Sequence, residues 1–275
     1  MLGLTGTIRI AVLGFVFSAV SAASDASAPV VLADANPSDP VAQLNIPAPL
    51  PRMAPELALQ VSQAKSQLQA KNLGEYQDET VVEAELPKTA QKGRYRLRRI
   101  WSAPKSLAFK AVDFAGDGFV KTQVIARILQ SEVDHSRSDD AESVALTPAN
   151  YKFGYKGVEE LNGRPVHVFQ VKPRAKRVGL FKGKIYIDVY TGALRRSEGK
   201  LVKSPSFFVK NIQFVQDYAE INGFNFPVHL HTTATAKIIG PTVVDITHSE
   251  YQVRTMAELT TQQTHVQSVS FSDNR

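Results

Sequence analysis

The sequence predicts a mainly β protein with few helices, in which one wide antiparallel sheet of about ten strands is covered by an amino-terminal helix. Three observations lead to this fold class. From Tyr76 onward, apolar and polar residues alternate with the period of a half-buried strand. Turns that contain glycine, such as Asn162-Gly163, separate these segments at regular spacing. Helical spacing is clear only near residue 60, and a sheet of this width must curl or close.

The predicted helix begins at Pro55-Glu56, because proline and an acidic residue are favoured in the first helical turn. Four apolar residues recur at spacings of three and four and form one stripe: Leu57, Val61, Ala64 and Leu68. Gly74 is expected to end the helix. The pattern therefore predicts an amphipathic helix of about eighteen residues that covers one face of the sheet.

Strand-like segments then follow one another almost to the carboxyl end. The composition of Ala115–Gly118 predicts a hairpin turn between two strands, and the polar segment Asp134–Glu142 predicts a loop. From Glu258 the chain is rich in threonine, glutamine and serine and lacks periodicity. In chain order, the predicted strands are 81–86, 94–101, 107–114, 119–130, 151–155, 158–161, 165–171, 184–190, 194–199, 207–218, 226–238 and 243–253.

The composition limits the kinds of protein that this chain can be. Of its 275 residues, 43% are hydrophobic and 21% are charged, which suffices for one sizeable core. The absence of cysteine excludes a disulfide scaffold, a thiolate zinc site, a cysteine nucleophile and lipidation of an amino-terminal cysteine. A net charge of +6 is compatible with an anionic surface and does not by itself indicate nucleic acid.

Residues 1–22 are typical of a secretory signal. Arg9 precedes the apolar run Ile10–Val20, which is too short to span a bilayer, and small residues precede Ala23. An uncleaved amino-terminal anchor is the alternative, and in either case we expect an exported, periplasmic protein. Residues 23–52 contain six prolines and predict a disordered linker. We expect the folded domain at 53–257 and a flexible tail at 258–275.

The second half of the chain carries a set of strand-and-turn motifs. They are a strand ending in VKP, the GKIYID strand, G-x-L-R-R-S-E-G, Y-x-x-I-N-G-F-x-F-P and a closing I-x-H-S-E-Y. With these motifs, residues 55–255 resemble the lipoprotein-sorting (LolA/LolB-like) superfamily. The resemblance implies a half-open β-barrel of about eleven strands, closed on one side by several helices, with an apolar cavity for acyl chains. Members of the superfamily carry lipoproteins across the periplasm or hold them at the outer membrane, and related members sense envelope stress through partner proteins.

Strand parity and this resemblance together predict which aromatic side chains line a cavity for the acyl chain of a lipid or lipoprotein. The predicted lining is Phe109, Phe169, Phe208, Phe214 and Phe226. An ordinary filled barrel core is the alternative. On the same fold, the protein could instead be an envelope sensor that docks a membrane-bound partner.

A basic segment predicts a contact with an anionic membrane surface or with a membrane-bound partner protein. Residues 172–184 contain six cations and no acid, with an apolar pair among them. We expect Arg177 and Lys182 to meet lipid headgroups and Leu180 and Phe181 to insert at the tip of a loop. The alternative is a solvated loop whose Phe181 folds back onto the core. A second cluster is formed by Arg94, Arg96, Arg98 and Arg99, and no nucleic-acid partner is expected.

Two patterns could support catalysis, and both have an ordinary structural explanation. His229 and His231 share one strand face and, with His248 on the next strand, could begin a metal site. Asp188 and Glu198 could face each other as a carboxylate pair. We favour a solvated histidine pair, a turn role for Asp188 and an ion pair of Glu198 with a nearby cation. We therefore expect neither an enzyme nor a cofactor or metal.

Overall fold

The computed structural model describes residues 51–137, 141–205 and 209–261. The strands are β1 (Leu73–Leu86), β2 (Gln91–Ser102), β3 (Ser106–Gly116), β4 (Tyr151–Leu161), β5 (Arg164–Pro173), β6 (Phe181–Asp188), β7 (Leu194–Leu201), β8 (Val209–Ile221), β9 (Phe224–Ala236) and β10 (Gly240–Thr255). They form one antiparallel sheet in the order β3-β2-β1-β10-β9-β8-β7-β6-β5-β4. The sheet curls into an open half-barrel, and the predicted fold class is confirmed.

The helices are α1 (Pro55–Asn72), α2 (Gly118–Val120), α3 (Ala126–Arg137) and α4 (Ala141–Val144). The π-helical turn Lys121–Ile125 joins α2 to α3 without a break, and residues 118–137 are called the covering helix below. Within the three described ranges, no helix has the length and the apolar content needed to cross a membrane.

Two connections break the simple hairpin order of the sheet. β1 pairs with β10, so the first and last strands are neighbours. The chain leaves β3 at one edge of the sheet and enters β4 at the opposite edge. The covering helix belongs to this crossing segment and lies on the inner face, where its buried side chains join those of β1 and β2 in the main core.

The covering helix corrects the strand predicted at residues 119–130. The Asp117 side chain caps the helix by accepting a hydrogen bond from the backbone N–H of Phe119 at 2.7 Å. The buried apolar side chains then follow the helical period: Val120, Val124, Ile125, Ile128 and Leu129. The predicted hairpin turn at Ala115–Gly118 is therefore a strand-to-helix junction, and helix continues to Arg137, into the predicted loop.

Helix α1 has its predicted start and length, but a different face packs against the sheet. Leu57 and Leu68 are 49% and 43% exposed, whereas Ala58 is fully buried. Gln69 holds the helix to β9, because its Nε2 donates to the carbonyl of Asn225 and its Oε1 accepts from the N–H of the same residue. The apolar stripe prediction is wrong because α1 meets the core through Ala58 and Leu59 and is otherwise held by polar bonds to strand backbone. Gly74 does not end the helix, since β1 already begins at Leu73.

The two ends of the folded domain are defined by contacts. The backbone N–H and C=O of Met53 bond to the carbonyl of Val189 and the ring of His167. At the other end, residues 256–261 are helical, with Glu258 accepting from the N–H of Thr255 and Leu259 lying against Gly74. The predicted tail therefore begins as an ordered helical turn. The predicted signal segment and most of the linker lie outside the described residues, as does the remainder of the tail.

A buried charge network joins β1, β2 and β10. The Asp78 carboxylate accepts from Arg99 Nε at 2.7 Å, from Thr80 Oγ1 at 2.9 Å and from His248 Nδ1 at 3.0 Å. Arg99 also donates to the hydroxyl of Tyr251 at 2.8 Å. Burial alone would raise the pKa of Asp78, but Arg99 and His248 hold it below its ordinary value. Burial and the charge of Arg99 lower the pKa of His248 to about 4, so the ring is neutral at pH 7.

Removing the Asp78 carboxylate should destabilise the folded protein. We expect Asp78→Ala to lower the free energy of unfolding by about 3–5 kcal/mol, because Arg99 would remain charged and buried without its partner. The matched control is Asp113→Ala, which removes the exposed partner of Arg96 and should cost less than about 1 kcal/mol. Urea unfolding of both variants measures the difference. Equal losses would show that the network contributes no more than a surface ion pair.

Candidate functional site

An apolar groove lies between the covering helix and strands β8, β9 and β10. The covering helix contributes Gln123, Val124 and Ile128. The strands contribute aliphatic and small side chains from their inner faces, with two threonines: Val209, Ile212, Leu230, Thr232, Ala234, Ala236, Thr242, Val244 and Ile246. Ile239, from the turn before β10, completes the lining. The groove therefore suits an aliphatic ligand, with polar atoms at only a few positions.

The groove is narrow in this structure. Its free volume is about 70 Å³, whereas sites for small organic molecules usually hold about 300–1,000 Å³. Val124 and Ile128 are buried on the sheet side of the covering helix. A long ligand can enter only if these two side chains move away from the strands. The groove in this structure therefore has no room for a long ligand.

The two ends of the covering helix are held differently. At its start, Asp117 accepts from Gln91 Nε2 at 2.9 Å, and Lys121 Nζ lies 4.8 Å from the centre of the Phe114 ring. Towards its end, Glu132 lies half-buried on the side of the charge network. Burial raises the pKa of Glu132 to about 7; Arg99 opposes this shift and Asp78 adds to it. The start is thus anchored by complementary groups, while the end places an acid in an unfavourable position.

The four predicted phenylalanines that the structure describes do not line this groove. Phe169 and Phe214 are buried in the main core, and Phe109 is half-buried against that core. Phe226 belongs to a second cluster, where its ring stacks on Tyr251 at 4.6 Å. Phe208 lies outside the described residues. Parity correctly placed Phe214 on the inner face, but the position of the covering helix decides which inner side chains border free space.

The groove residues that sequence reasoning missed are small or aliphatic. Ala234 and Ala236 occupy two inner positions of β9, near the end of the strand. Small residues at consecutive inner positions leave volume that larger side chains would fill. This pair is the signal in the sequence that indicates the groove, whereas the aromatic residues mark the filled core.

The predicted membrane-inserting tip is corrected by the structure. Leu180 is 1% exposed and Phe181 is fully buried. Phe181 packs edge-on against Phe214, with 5.1 Å between the ring centres, so it folds back onto the core. Arg177 donates to the carbonyl of Ser143, whereas Lys182 is exposed at the start of β6. Leu180 and Phe181 cannot insert into lipid, because both side chains are already buried in the core.

The residues of the two possible catalytic patterns do not come together in the structure. Asp188 is a buried turn residue that accepts from the N–H groups of Tyr190 and Thr191 and pairs with Arg195 at 3.1 Å. In the register of β6 and β7, Glu198 faces Lys184 and accepts from the hydroxyl of Tyr186 at 2.8 Å. The two carboxylates therefore do not form a pair across the hairpin.

The histidine pair is held by a single carboxylate. His231 Nδ1 lies 2.8 Å and His229 Nε2 3.4 Å from the same oxygen of Asp245. His248 lies in the charge network with Asp78, so it does not join them. In the part of the chain that the structure describes, no group of three or more metal-ligating side chains is found.

Residues 146–262 match the model of a family of unknown function, DUF5686. No curated protein matches the chain. The chain is similar to a LolA superfamily protein from Nitrosomonas europaea, with 11% identity over 72% of this chain and 93% of the other, and a TM-score of 0.36.

Two further solved structures are similar to the chain. One is a DUF1329 family protein from Desulfovibrio piger, and the other is described as an outer membrane lipoprotein-sorting protein domain from Vibrio parahaemolyticus. For each, the identity is 12%, the coverage is 72% of this chain and 92% of the other, and the TM-score is 0.38. At such TM-scores they carry no conclusion about ligand or activity.

The position of Glu132 leads to a pH-dependent prediction. In the folded state Glu132 keeps its proton up to about pH 7, whereas in the unfolded chain it loses it near pH 4.5, so stability falls as pH rises across this interval. Glu132→Gln should therefore raise the thermal unfolding midpoint at pH 8, with the gain shrinking towards pH 5. As a control, Glu142→Gln at an exposed position should leave the thermal unfolding midpoint unchanged at both pH 8 and pH 5. A gain of the same size at both pH values would contradict this assignment.

Proposed function

We propose that the protein is an exported binding protein of the cell envelope that holds the acyl chain of a lipid or lipoprotein in the groove beneath the covering helix. The observation that carries the proposal is the lining: aliphatic side chains of three adjacent strands beneath the covering helix. The predicted secretory signal supports export to the periplasm. The resemblance to the lipoprotein-sorting superfamily is consistent with such a ligand.

The chemistry of the lining favours an acyl chain over an aromatic or polar ligand. Val209, Ile212 and Leu230 present only methyl and methylene groups, and these make many weak contacts with a flexible chain. Each methylene that leaves water contributes about 0.8 kcal/mol. The side chains of Gln123, Thr232 and Thr242 supply the polar atoms of the groove, suited to an ester or amide group at one end of the chain.

Binding and release would follow from movement of the covering helix. When an acyl chain enters, it takes the place of Val124 and Ile128 against the strands, so one set of apolar contacts replaces another. The anchored start of the helix at Asp117 serves as the fixed end of this movement. When the helix returns, the same side chains refill the groove and expel the ligand. Transfer is therefore reversible and needs no covalent chemistry.

Filling the groove should weaken binding without unfolding the protein. We expect Ala234→Leu combined with Ala236→Leu to reduce the affinity for a fluorescent fatty acid at least about tenfold, because the added carbons occupy the ligand's volume. The control, Ala111→Leu, makes the same change at an exposed position on β3. Native mass spectrometry of protein purified without detergent, together with lipid extraction, identifies the natural ligand.

Two outcomes would overturn the proposal. One is wild-type protein that stays unliganded after exposure to lipid, which would favour docking of a membrane-bound partner protein instead. The other is equal affinity in the groove-filled variant and the control, which would place the acyl chain elsewhere. Circular dichroism of each variant separates loss of the site from loss of the fold.

A further inference from the structure

Four lysines lie side by side on the outer face of four adjacent strands. In the register of the sheet, Lys152 on β4 lies opposite Lys172 on β5, and Lys182 on β6 lies opposite Lys200 on β7. Val171 pairs with Gly183, so the next step of the same register brings Lys172 beside Lys182. The four residues, Lys152, Lys172, Lys182 and Lys200, are called the lysine row below. Since neighbouring strands are about 4.8 Å apart, the row is roughly 15 Å long.

The lysine row is not neutralised by acids. All four side chains are exposed, and among the described residues no carboxylate lies within ion-pair distance of any of them. Lys200 Nζ donates to the amide oxygen of Asn211 at 3.3 Å. Like charges side by side on neighbouring strands destabilise a sheet, so this arrangement is unfavourable for the protein alone.

The outer face of β1 and β2 is different and provides an internal comparison. There Arg94 pairs with Glu83, and Lys92 pairs with Glu85. Arg96 pairs with Asp113 at 3.1 Å. Three arginines of the second basic cluster, Arg94, Arg96 and Arg99, are therefore paired with acids, whereas Arg98 lies opposite Lys110. On β4 to β7, by contrast, four adjacent lysines have no acidic partner among the described residues.

A shallow depression of about 450 Å³ adjoins the lysine row. Its rim carries Lys182, Lys184, Lys200, Gln213, His231 and Thr233. Gly183 and Gly199 face each other at its base, and a Cβ on Gly183 would lie only 1.8 Å from the carbonyl oxygen of Glu198. Glu198, the acid at this site, accepts from the hydroxyl of Tyr186. Of the other rim residues, Lys184 pairs with Glu159 at 3.9 Å and His231 with Asp245 at 2.8 Å. The unbalanced positive charge of the depression is therefore that of Lys182 and Lys200, and beside them there is room for an anionic headgroup.

We propose that the lysine row and the adjoining depression dock the protein on the phosphate groups of an anionic lipid bilayer. Lysine ammonium groups are mobile point charges that need no fixed geometry from their partner, which suits a fluid headgroup layer. The row and the rim carry no tryptophan, tyrosine or arginine, the residues that usually anchor protein–protein interfaces. This docking surface goes beyond the groove, because it lies on the other face of the sheet and does not require a bound acyl chain.

Vesicle sedimentation of the full chain tests the docking surface. The probes are vesicles of 30% phosphatidylglycerol in phosphatidylcholine, and vesicles of phosphatidylcholine alone. We expect binding only to the anionic vesicles, and we expect Lys182→Gln combined with Lys200→Gln to weaken it about 30-fold, from roughly 1 kcal/mol for each lysine near an anionic surface. High salt should abolish it.

The matched control is Lys88→Gln combined with Lys110→Gln, which removes the same charge from exposed lysines elsewhere and leaves the amino-terminal segment unchanged. The proposal is overturned if both double variants lose binding equally or if neutral vesicles bind as well as anionic ones. It is also overturned if an acidic peptide, used as a further probe, binds to the protein and the anionic vesicles do not. The groove-filled variant separates the two proposals. It should still bind anionic vesicles, and the lysine variant should still bind the fatty acid.

Discussion

The pairing of β1 with β10 is the constraint on which the rest of the structure depends. Without it the sheet would be two separate pieces, a three-stranded meander of β1 to β3 and a seven-stranded meander of β4 to β10. The charge network of Asp78 and His248 lies on this seam between β1 and β10, and it also includes Arg99 from the neighbouring strand β2. Because a buried ion pair is favourable only when its geometry is complete, the network penalises any other register of β1 against its neighbours.

The pairing of β1 with β10 also creates the groove. Since β1 to β3 are attached beside β10, the chain must cross the inner face to reach β4 at the far edge, and the covering helix lies on that path. The helix packs over β1 and β2, so its outer margin borders β8 to β10 and leaves the groove there.

Both edges of the sheet are irregular, because β3 and β4 each contain a bulge. Val112 and Lys156 are the unpaired residues of these bulges, which discourage pairing with further strands. The sheet is thereby kept open without becoming an aggregation template.

Local patterns that depend on one or two residues were predictable. Asn162-Gly163 and Asn222-Gly223 have positive φ at both positions, as the predicted hairpin turns require. The start of α1 at Pro55 was also correct. The covering helix was missed because apolar residues at Val120, Val124 and Ile128 fit both a period of two and a period of four. Only contact with β1 and β2 selects the helix, and a single sequence does not contain that contact.

The sequence by itself determined that this protein is one wide antiparallel sheet with an amino-terminal helix, because alternation and turn residues act over a few positions. It also determined that cations are concentrated around residues 172–184. Only the tertiary structure decided that Phe181 is buried, that the lysines of neighbouring strands form one row, and that small residues of β9 face free volume. These features depend on strand register and on the path of one crossing segment. Both are set by contacts between residues far apart in the chain, which no local pattern encodes.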